Sequence, residues 1–405
     1  MTKIFPKSAF DVDFIGSWLL ILFGFSLPLS VSVNNIFAAL LILLWIYRRE
    51  YGRTWEIIKN SKVVIAVLLF FVLHIIGMLW TEDISWGLHL IKKEAKFLLL
   101  PIMMSFVKKE HIRYYISAFL LAMTLSELLS YLVWFEIIPP IFKATVYDPT
   151  VFIHHTSYNP FLAFAIYLIG YFIVFDQTLS RLQKVLLIFF FVTMSINMFI
   201  TGGRAGQVGY LLVVTVLLFQ FFNKHVFKAL FVSIGLLAAI LFTAYSTSQV
   251  FHDRANLIVT NVQKFDSNVN TSVGLRINFA INSLEIIKEN PFFGVGTGDF
   301  RSSYDRVNVK NTPEAKSTTQ PHNMYVLEMV QFGLLGLISL LAIFYFQLRF
   351  SLQLKEDLRK KAGVALTLLF MLIMLSDSYL LGHFTTMLFV FFSAILYRSF
   401  YETNH

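Results

Sequence analysis

Long apolar stretches separated by short polar connections dominate the chain. A helix needs about 20 predominantly apolar residues to cross a hydrocarbon core of about 30 Å, and most of these stretches approach that length. We therefore predict about twelve transmembrane helices. The stretches lie near residues 14–30, 31–47, 63–80, 94–107, 112–138, 157–175, 184–201, 206–222, 226–245, 324–348, 362–380 and 383–398. The fourth is the weakest, because it is short and begins at the polar cluster Lys92, Lys93, Glu94 and Lys96, which is typical of an interfacial turn.

The basic residues of the short connections fall on one side of this arrangement. The connections on that side hold Lys3, Lys7, Arg48, Arg49, Arg53, Lys59, Lys62, Lys108, Lys109, Arg113, Arg181, Lys184, Lys224, Lys228, Arg349, Lys355, Arg359, Lys360, Lys361 and Arg398. The alternate connections at 30–35, 81–87 and 377–382 hold no Lys or Arg. The positive-inside rule places the basic side in the cytoplasm, so both termini are predicted to be cytoplasmic. The first stretch is expected to be an uncleaved helix, because it lacks a small-residue cleavage site.

The composition supports a membrane protein and excludes several classes of function. The 405 residues have a mean hydropathy of +0.68, with 57% hydrophobic and 14% charged residues. A soluble domain carries about 25% charged residues, so a water-soluble enzyme or nucleic-acid-binding domain is excluded. The formal net charge of +9 is explained mostly by topology and needs no anionic partner. The absence of cysteine excludes disulfides, thiolate metal sites and thiol nucleophiles.

One connection is much longer than the others and is predicted to lie outside the cytoplasm. Ser246 to Gln320 is on the order of 75 residues, whereas about 4 to 6 residues is usual. Within it, Thr271 to Asn290 is predicted to be a surface helix whose apolar face rests on the membrane domain, because apolar residues recur at helical spacing. These residues are Ile277, Ile281, Leu284 and Ile287. The sequence therefore divides into helices 1–9 (1–245), a periplasmic loop domain (246–322), and helices 10–12 with a short cytoplasmic tail (323–405).

The glycine-dense segment PFFGVGTGDF (291–300) follows the predicted loop helix. It does not suit a nucleotide-binding motif, since neither the preceding strand nor the following helix start is expected. A tight turn that brings the backbone close to the bilayer surface explains the glycines better.

Three side chains are expected to lie at one depth, the outer membrane surface. Arg204 lies in the short turn TGGRAG, Arg276 opens the loop helix, and His322 belongs to PHNM at the start of the tenth helix. Each alone has an ordinary explanation, namely an arginine reaching headgroups or a histidine at the interface. Together, two guanidinium groups and a helix start predicted at Pro321 favour an anion, and the anion at that depth is a lipid phosphate or pyrophosphate.

The chain resembles the O-antigen ligase and polymerase superfamily of bacterial inner-membrane glycosyltransferases in three motifs that occur in the same order. They are TGGRAGQVGYLLV (201–213), GLRINFAINSLEIIKENPFFGVGTGDF (274–300) and PHNMYVLEMVQFGLLGL (321–337). The earlier predicted helices agree with the family only in hydropathy and topology. One departure is Gly203 before Arg204, where many members have serine.

The resemblance implies a GT-C-like, all-α polytopic fold with one large periplasmic loop containing helices, in the bacterial inner membrane. It further implies inverting, metal-independent transfer of O-antigen polysaccharide from undecaprenyl pyrophosphate to the lipid A–core oligosaccharide, without a cofactor. Arg204 and Arg276 would hold the pyrophosphate, and His322 would be the catalytic residue. Two neighbours in the H-N-x-Y pattern, Asn323 and Tyr325, are candidates for substrate binding.

Further candidates for substrate contact are Arg301, which follows the glycine-dense segment, and His154 and His155 in the loop 139–156. Ionisable residues in or beside the predicted helices are expected to be paired or functional, but the sequence does not identify their partners. They are His74, Glu127, Glu328, Asp377 and His383. The sequence reveals no metal-ligand cluster, so no metal site is predicted.

Three alternative interpretations remain open. An O-antigen polymerase or a protein O-oligosaccharyltransferase would use the same donor with a different acceptor, and the ligase is preferred because the chain is compact with one dominant external loop. A lipid-linked oligosaccharide flippase or transporter would also have many helices, but no repeat relates the two halves of this sequence. A third interpretation, a non-catalytic membrane scaffold, would make the arginine and histidine constellation accidental.

Overall fold

The protein is described by a computed structural model over residues 11–263 and 269–400. Lys3 and Lys7, which enter the topology prediction, lie outside these residues. The described chain is α-helical, and its one strand-like pairing is an isolated bridge between Thr145 and Asp148.

The α-helices of the described residues are numbered in chain order. Up to residue 200 they are α1 (Val12–Ser26), α2 (Val31–Arg48), α3 (Tyr51–Asn60), α4 (Lys62–Gly77), α5 (Ile84–Glu94), α6 (Leu99–Phe106), α7 (Ile112–Trp134), α8 (His155–Phe175) and α9 (Arg181–Ile200). After it they are α10 (Arg204–Phe222), α11 (Val226–Thr247), α12 (Gln249–Gln263), α13 (Ser272–Glu289), α14 (Phe300–Asn311), α15 (Met324–Gln353), α16 (Asp357–Ile373) and α17 (His383–Leu396). Short 3-10 helices, Ala95–Leu98 and Lys109–His111, precede α6 and α7.

Seven helices of the described residues are long and apolar enough to cross a membrane, namely α2, α7, α8, α9, α10, α11 and α15. The pair α3 and α4, bent by 96° at its break, adds an eighth candidate if it is counted as one span. The apolar helices α1 and α17 have only 15 and 14 residues. The chain is therefore an all-α, multi-pass membrane protein, while the predicted number of about twelve helices is not confirmed.

The fourth predicted stretch is not one continuous α-helix. α5 ends at Glu94, a 3-10 turn follows, and α6 has only 8 residues. At 1.5 Å per residue, α6 covers about 12 Å, less than half of a hydrocarbon core. The break falls where Glu94 is fully buried against His74, so α5 is fixed to α4 before the chain continues.

Side-chain contacts gather the predicted cytoplasmic connections at one end of the helix bundle. Lys109 pairs with Glu356 at 3.0 Å, and Arg113 pairs with Asp176 at 3.0 Å. The hydroxyl of Tyr171 donates to Asp357 at 2.8 Å. These contacts join the connections before α7, after α8 and before α16, as one common side requires. Which membrane face this end occupies stays a prediction.

Helix α8 lies at the centre of the bundle, and 83% of its 18-residue apolar segment is buried. It packs closely on α10, because a side chain at Gly206 would meet the backbone of Asn159 at 2.5 Å. The Asn159 amide donates to the carbonyl of Gly203 at 3.1 Å, and its oxygen accepts from Thr201 at 2.8 Å. The turn between α9 and α10 is thereby fixed to the most buried helix.

Helices α13 and α14 pack on each other through polar residues. The Asn278 amide donates to Tyr304 at 3.0 Å and to Asn308 at 3.1 Å, and Asn282 also donates to Asn308 at 3.1 Å. The loop helix predicted at Thr271 to Asn290 is confirmed, because α13 covers Ser272–Glu289.

The predicted apolar face of α13 is wrong for two of its four residues. The side chains of Ile281 and Leu284 are 53% and 51% exposed, although Ile287 is buried. The reason is that Asn278 and Asn282 form hydrogen bonds with α14, so the buried face of α13 includes these polar residues beside apolar ones.

The glycine-dense segment packs against α15 inside the protein. Gly294 and Gly296 have φ values of +65° and +108°, and Gly333 interrupts α15 with φ +59°. The amide of Gly296 donates to the carbonyl of Gln331 at 2.9 Å. The amide of Leu334 donates to the carbonyl of Pro291 at 2.8 Å. The turn was predicted correctly, and the contact that requires its glycines is with a helix backbone.

Candidate active site

The turn between α9 and α10 presents Arg204 as the first residue of α10. One Arg204 nitrogen donates to the Ser272 hydroxyl at 3.2 Å, which links α10 to the start of α13. Behind it, Arg254 of α12 donates to the carbonyl of Gly202 at 2.5 Å. A side chain at Gly202 would meet the Arg254 guanidinium at 2.5 Å, so glycine is required for this approach.

Three arginines from three helices lie around this turn. Arg276 of α13 and Arg254 both lie close enough to Arg204 to repel its charge. Within the described residues, no ion pair joins Arg204, Arg254 or Arg276 to a carboxylate. The sequence predicted two of these residues and missed Arg254, whose position in the long loop carries no motif. Concentrated positive charge without an internal partner favours a multivalent anion.

His322 lies just outside α15 and not in its first turn, so the predicted helix start at Pro321 is wrong. The helix begins at Met324, and Asn323 is its N-cap, accepting from the amide of Val326 at 3.1 Å. His322 has φ +52°, which turns the chain before the cap. The amide of Met324 donates to the carbonyl of Met374 at 2.9 Å and that of Val326 to the Asn323 side chain, and His322 belongs to the preceding loop.

The imidazole of His322 is held by a carboxylate and an aromatic ring. Its Nδ1 lies 3.1 Å from an Asp377 oxygen, and its ring stacks on Phe279 of α13 at a centroid distance of 5.9 Å. The amide of Ser378 donates to the same Asp377 oxygen at 2.8 Å. A carboxylate accepts from Nδ1–H, so the tautomer with a free Nε2 lone pair is favoured. Asp377 is the partner that the sequence did not identify.

Two neighbours of His322 have structural partners. Besides capping α15, Asn323 donates to the carbonyl of Leu375 at 3.1 Å. The hydroxyl of Tyr325 donates to the carbonyl of Met371 at 2.7 Å. Both hold the start of α15 against the end of α16, so these contacts position the His322 loop.

The arginine side and the histidine side of the site meet at the loop between α16 and α17. Arg276 acts electrostatically on Tyr379, two residues after Asp377. A cavity of about 270 Å³ opens beside this loop. It is lined by residues that include Thr156, Gln320, Asp377, Tyr379 and Lys93. The cavity thus joins the start of α8, the His322 loop and the α16–α17 loop.

His154 and His155 lie at the start of α8, next to the Arg204 turn. His155 Nδ1 bonds an Asp148 oxygen at 2.5 Å, and the other Asp148 oxygen accepts from the amide of Gly202 at 3.4 Å. Burial raises the pKa of Asp148, but the hydrogen bond and charge of His155 outweigh it, so the pKa is lowered from its ordinary value. Burial and the charge of His155 lower the pKa of His154.

Arg301 is less engaged with this region. It lies on α14, 58% exposed, with its side chain 3.9 Å from Asp305 one turn further along the helix. The described contacts do not bring it to the arginines around the Arg204 turn.

A second cavity, of about 180 Å³, lies between α10, α11 and α12. Arg204 and Arg254 stand at its edge, and Gln207 also lines it. Its apolar walls come from Phe199, Val208, Leu211, Leu241, Phe251 and Ala255. The cavity therefore combines an apolar interior with cationic groups, as an anionic lipid requires.

Two groups in the described residues bring potential metal ligands together, and the sequence predicted neither of them as a metal site. Asp148, His154 and His155 form one group, and His74, Glu94 and Glu328 form the other. Within each group the ligand atoms lie within 4.8 Å of one another. The second group also identifies the partners of His74 and Glu328. His74 Nε2 lies 3.0 Å from Glu94 and 3.5 Å from Glu328.

The fold and these groups define a multi-pass membrane protein with a cationic, histidine-containing site at one end of its helix bundle. Residues 189–341 match the family model described as O-antigen ligase. The matched segment holds Arg204, Arg254, Arg276 and His322. This match, over residues 189–341, confirms the resemblance to the O-antigen ligase superfamily that the motifs indicated.

One relative among the curated proteins is an uncharacterized protein of Haemophilus influenzae (strain Rd). It is 33% identical over 160 residues, which are 36% of this chain and 39% of that protein. The chain thus aligns with well under half of this relative's length.

Proposed function

We propose that this protein transfers O-antigen polysaccharide from undecaprenyl pyrophosphate to the lipid A–core oligosaccharide, at the periplasmic face of the bacterial inner membrane. The observation that carries the proposal is the juxtaposition of a carboxylate-oriented histidine and three arginines that have no carboxylate partner among the described residues. The match of residues 189–341 to the O-antigen ligase family model supports a membrane glycosyltransferase of the ligase or polymerase type.

In this proposal, Arg204 and Arg276 bind the pyrophosphate of the donor. Guanidinium groups stay charged and offer paired donors, so they neutralise the leaving pyrophosphate as it takes up the electrons of the broken bond. Arg254 is added to this set, because it stands beside Arg204 and fixes the Gly202 carbonyl. The apolar cavity beside Arg204 and Arg254 accommodates the first part of the polyprenyl chain.

His322 acts on the acceptor hydroxyl. With Nδ1–H held by Asp377, Nε2 accepts the hydroxyl proton while the oxygen attacks the anomeric carbon. The bond from that carbon to pyrophosphate breaks on the opposite face, so the configuration inverts. The cavity between the α16–α17 loop and the start of α8 provides space for the acceptor sugar, with His154 and His155 near its edge.

The lipopolysaccharide of a deletion strain, analysed by gel electrophoresis, tests the reaction. Loss of a ligase leaves bare core, whereas loss of a polymerase leaves core that carries a single repeat unit. An unchanged lipopolysaccharide pattern with loss of glycans from proteins would instead identify a protein O-oligosaccharyltransferase.

Purified protein with undecaprenyl-pyrophosphate donor and core acceptor tests whether the chain is an enzyme at all. Product formation supports the proposal, and absence of product at every donor concentration contradicts it in favour of a flippase or a scaffold. Transfer is proposed to need no metal, because the arginines neutralise the pyrophosphate. Full activity in EDTA is therefore expected. A loss of activity that a divalent cation restores would contradict this expectation and would indicate a metal at one of the two groups of histidine and carboxylate residues.

A further inference from the structure

A groove of about 520 Å³ lies between α2, α5, α6 and α17 and is not used by the proposed reaction. Its polar lining is rich in nitrogen, from His89, Lys92, Lys93, Lys96 and His383. Its apolar lining comes mainly from α2, α6 and α17, with Ala38, Ala39, Ile42, Leu99 and Met387. The groove therefore has one cationic side and one side suited to hydrocarbon.

The three lysines of the groove have no ion pair with a carboxylate within the described residues. The Lys96 ammonium donates to the carbonyl of Lys93 at 2.8 Å, and the Lys93 ammonium lies 5.9 Å from the Trp86 ring. Glu94 lies between them in sequence, but its side chain is fully buried and faces His74. The acid on α5 therefore makes no ion pair with the groove lysines and acts on Lys96 only at longer range.

These lysines also depart from the charge pattern of the rest of the chain. They lie at the end of the bundle that holds His322, because Lys93 lines the same cavity as Asp377, the partner of His322. The positive-inside rule explains basic residues at the opposite end, but it does not explain the three groove lysines. A local anionic ligand would explain them.

The groove communicates with the candidate active site. Lys93 lines both the groove and the cavity beside Asp377. His383, on the groove, begins α17 directly after the loop that holds Asp377 and Tyr379. A ligand anchored in the groove is therefore adjacent to the cavity proposed for the acceptor sugar.

We propose that this groove binds the acceptor as a phosphorylated glycolipid, with its phosphates on Lys92, Lys93 and Lys96 and its acyl chains along α2. This inference rests on the proposed function, which requires a glycolipid acceptor. Charge complementarity selects the phosphates, and the apolar side selects the lipid. The arrangement separates the acceptor, on α5, from the donor, on α10 and α12.

A binding experiment tests the groove without requiring transfer. Bis-phosphorylated lipid A and its dephosphorylated form are titrated in detergent into wild-type protein and into the double variant Lys92→Gln, Lys96→Gln, with microscale thermophoresis as the readout. Wild-type protein is expected to prefer the phosphorylated lipid by about tenfold or more, and the variant to lose that preference. The variant Lys92→Arg, Lys96→Arg should retain it, since charge is kept.

The matched control is Lys224→Gln, Lys228→Gln, which removes the same charge from an exposed connection at the other end of the bundle. It should bind lipid A as the wild type does. Equal binding by the groove variant and the control, or no preference of the wild type for phosphate, would overturn the proposal. Complete competition by inorganic phosphate would reduce the groove to a simple anion site and would also overturn it.

Kinetics then separate the groove from the proposed reaction. In the Lys92→Gln, Lys96→Gln variant, KM for the acceptor should rise about tenfold, while kcat and KM for the donor stay unchanged. A fall in kcat with unchanged acceptor KM contradicts the inference. If wild-type protein binds phosphorylated lipid A but forms no product, the proposed function is contradicted, whereas the binding of a phosphorylated glycolipid in the groove is supported.

Discussion

The two halves of the candidate site differ in whether their charged groups are paired. Around Arg204, three guanidinium groups converge without a carboxylate partner in the described residues, and Ser272 and Gly202 provide neutral contacts. Around His322, a carboxylate and an aromatic ring fix the imidazole in one orientation. The first half leaves its charge available, whereas the second half uses a charge to orient its functional group.

This difference teaches what each half contributes. Uncompensated cations repel each other, and in the proposed reaction an incoming pyrophosphate would relieve that repulsion, so the arginines would favour donor binding and leaving-group departure. The oriented imidazole would contribute little to binding and would act when a proton moves. Substitutions on the two sides should therefore have different kinetic signatures.

The largest effect is expected for His322→Ala. Removal of the proposed base should lower kcat by about 10² to 10⁴ with nearly unchanged donor affinity. Transfer kinetics and donor binding, measured on the same preparation, check this. The control is His252→Ala, because His252 also pairs with an aspartate, Asp253 at 3.2 Å, but on the exposed surface of α12. A fall in donor affinity equal to the fall in rate would make His322 a phosphate ligand.

The next effect is expected for Arg204→Ala and Arg276→Ala. Each charge-assisted bond to phosphate is worth about 1.5 to 3 kcal/mol, so each variant should lose about 10- to 100-fold in kcat/KM, or more where water is excluded. Lysine should restore only part, because it keeps the charge and loses the paired donors.

The control for the arginine variants is Arg306→Ala on α14, whose guanidinium already pairs with Glu289 at 2.5 Å. Wild-type activity in Arg204→Ala or Arg276→Ala, at equal expression, would remove that residue from the site.

A smaller effect is expected for Asp377→Asn, which keeps the shape and removes the charge that orients His322. We expect a loss of about tenfold in kcat and a changed pH profile, with donor affinity retained. The matched control is Asp253→Asn. If the variant shows an unchanged pH profile, or loses donor affinity as the arginine variants do, the proposed division between the two halves breaks down.

The smallest effect is a pH dependence at the edge of the arginine side. The pKa of His154 is lowered in the folded protein, so folding favours its neutral form. This contribution to stability is present above the ordinary histidine pKa of about 6.5 and is lost as the pH falls below it toward the lowered pKa of the folded protein. The thermal stability of wild type relative to His154→Gln should therefore be lower at pH 5.5 than at pH 7.5. A wild type that gains stability relative to His154→Gln as the pH falls would contradict the assignment.

The sequence by itself determined the class of protein and predicted candidate residues for the site. Hydrophobic length predicts membrane helices because the backbone must satisfy its hydrogen bonds in lipid, and this constraint is local. The motifs identified Arg204, Arg276 and His322, and the loop helix was predicted within one residue at each end. The buried face of that helix was not predictable, since the asparagines of α13 find their partners on α14.

Only the tertiary structure decided the partners and the cavities. Asp377 is 55 residues from His322, and Arg254 is 52 residues from Gly202, so no periodicity relates them. The break after Glu94 likewise depends on a buried contact with His74 on another helix. Sequence pattern reports what a segment does with solvent or lipid. Ion pairs, caps and grooves arise between segments, and their geometry exists only once the helices have packed.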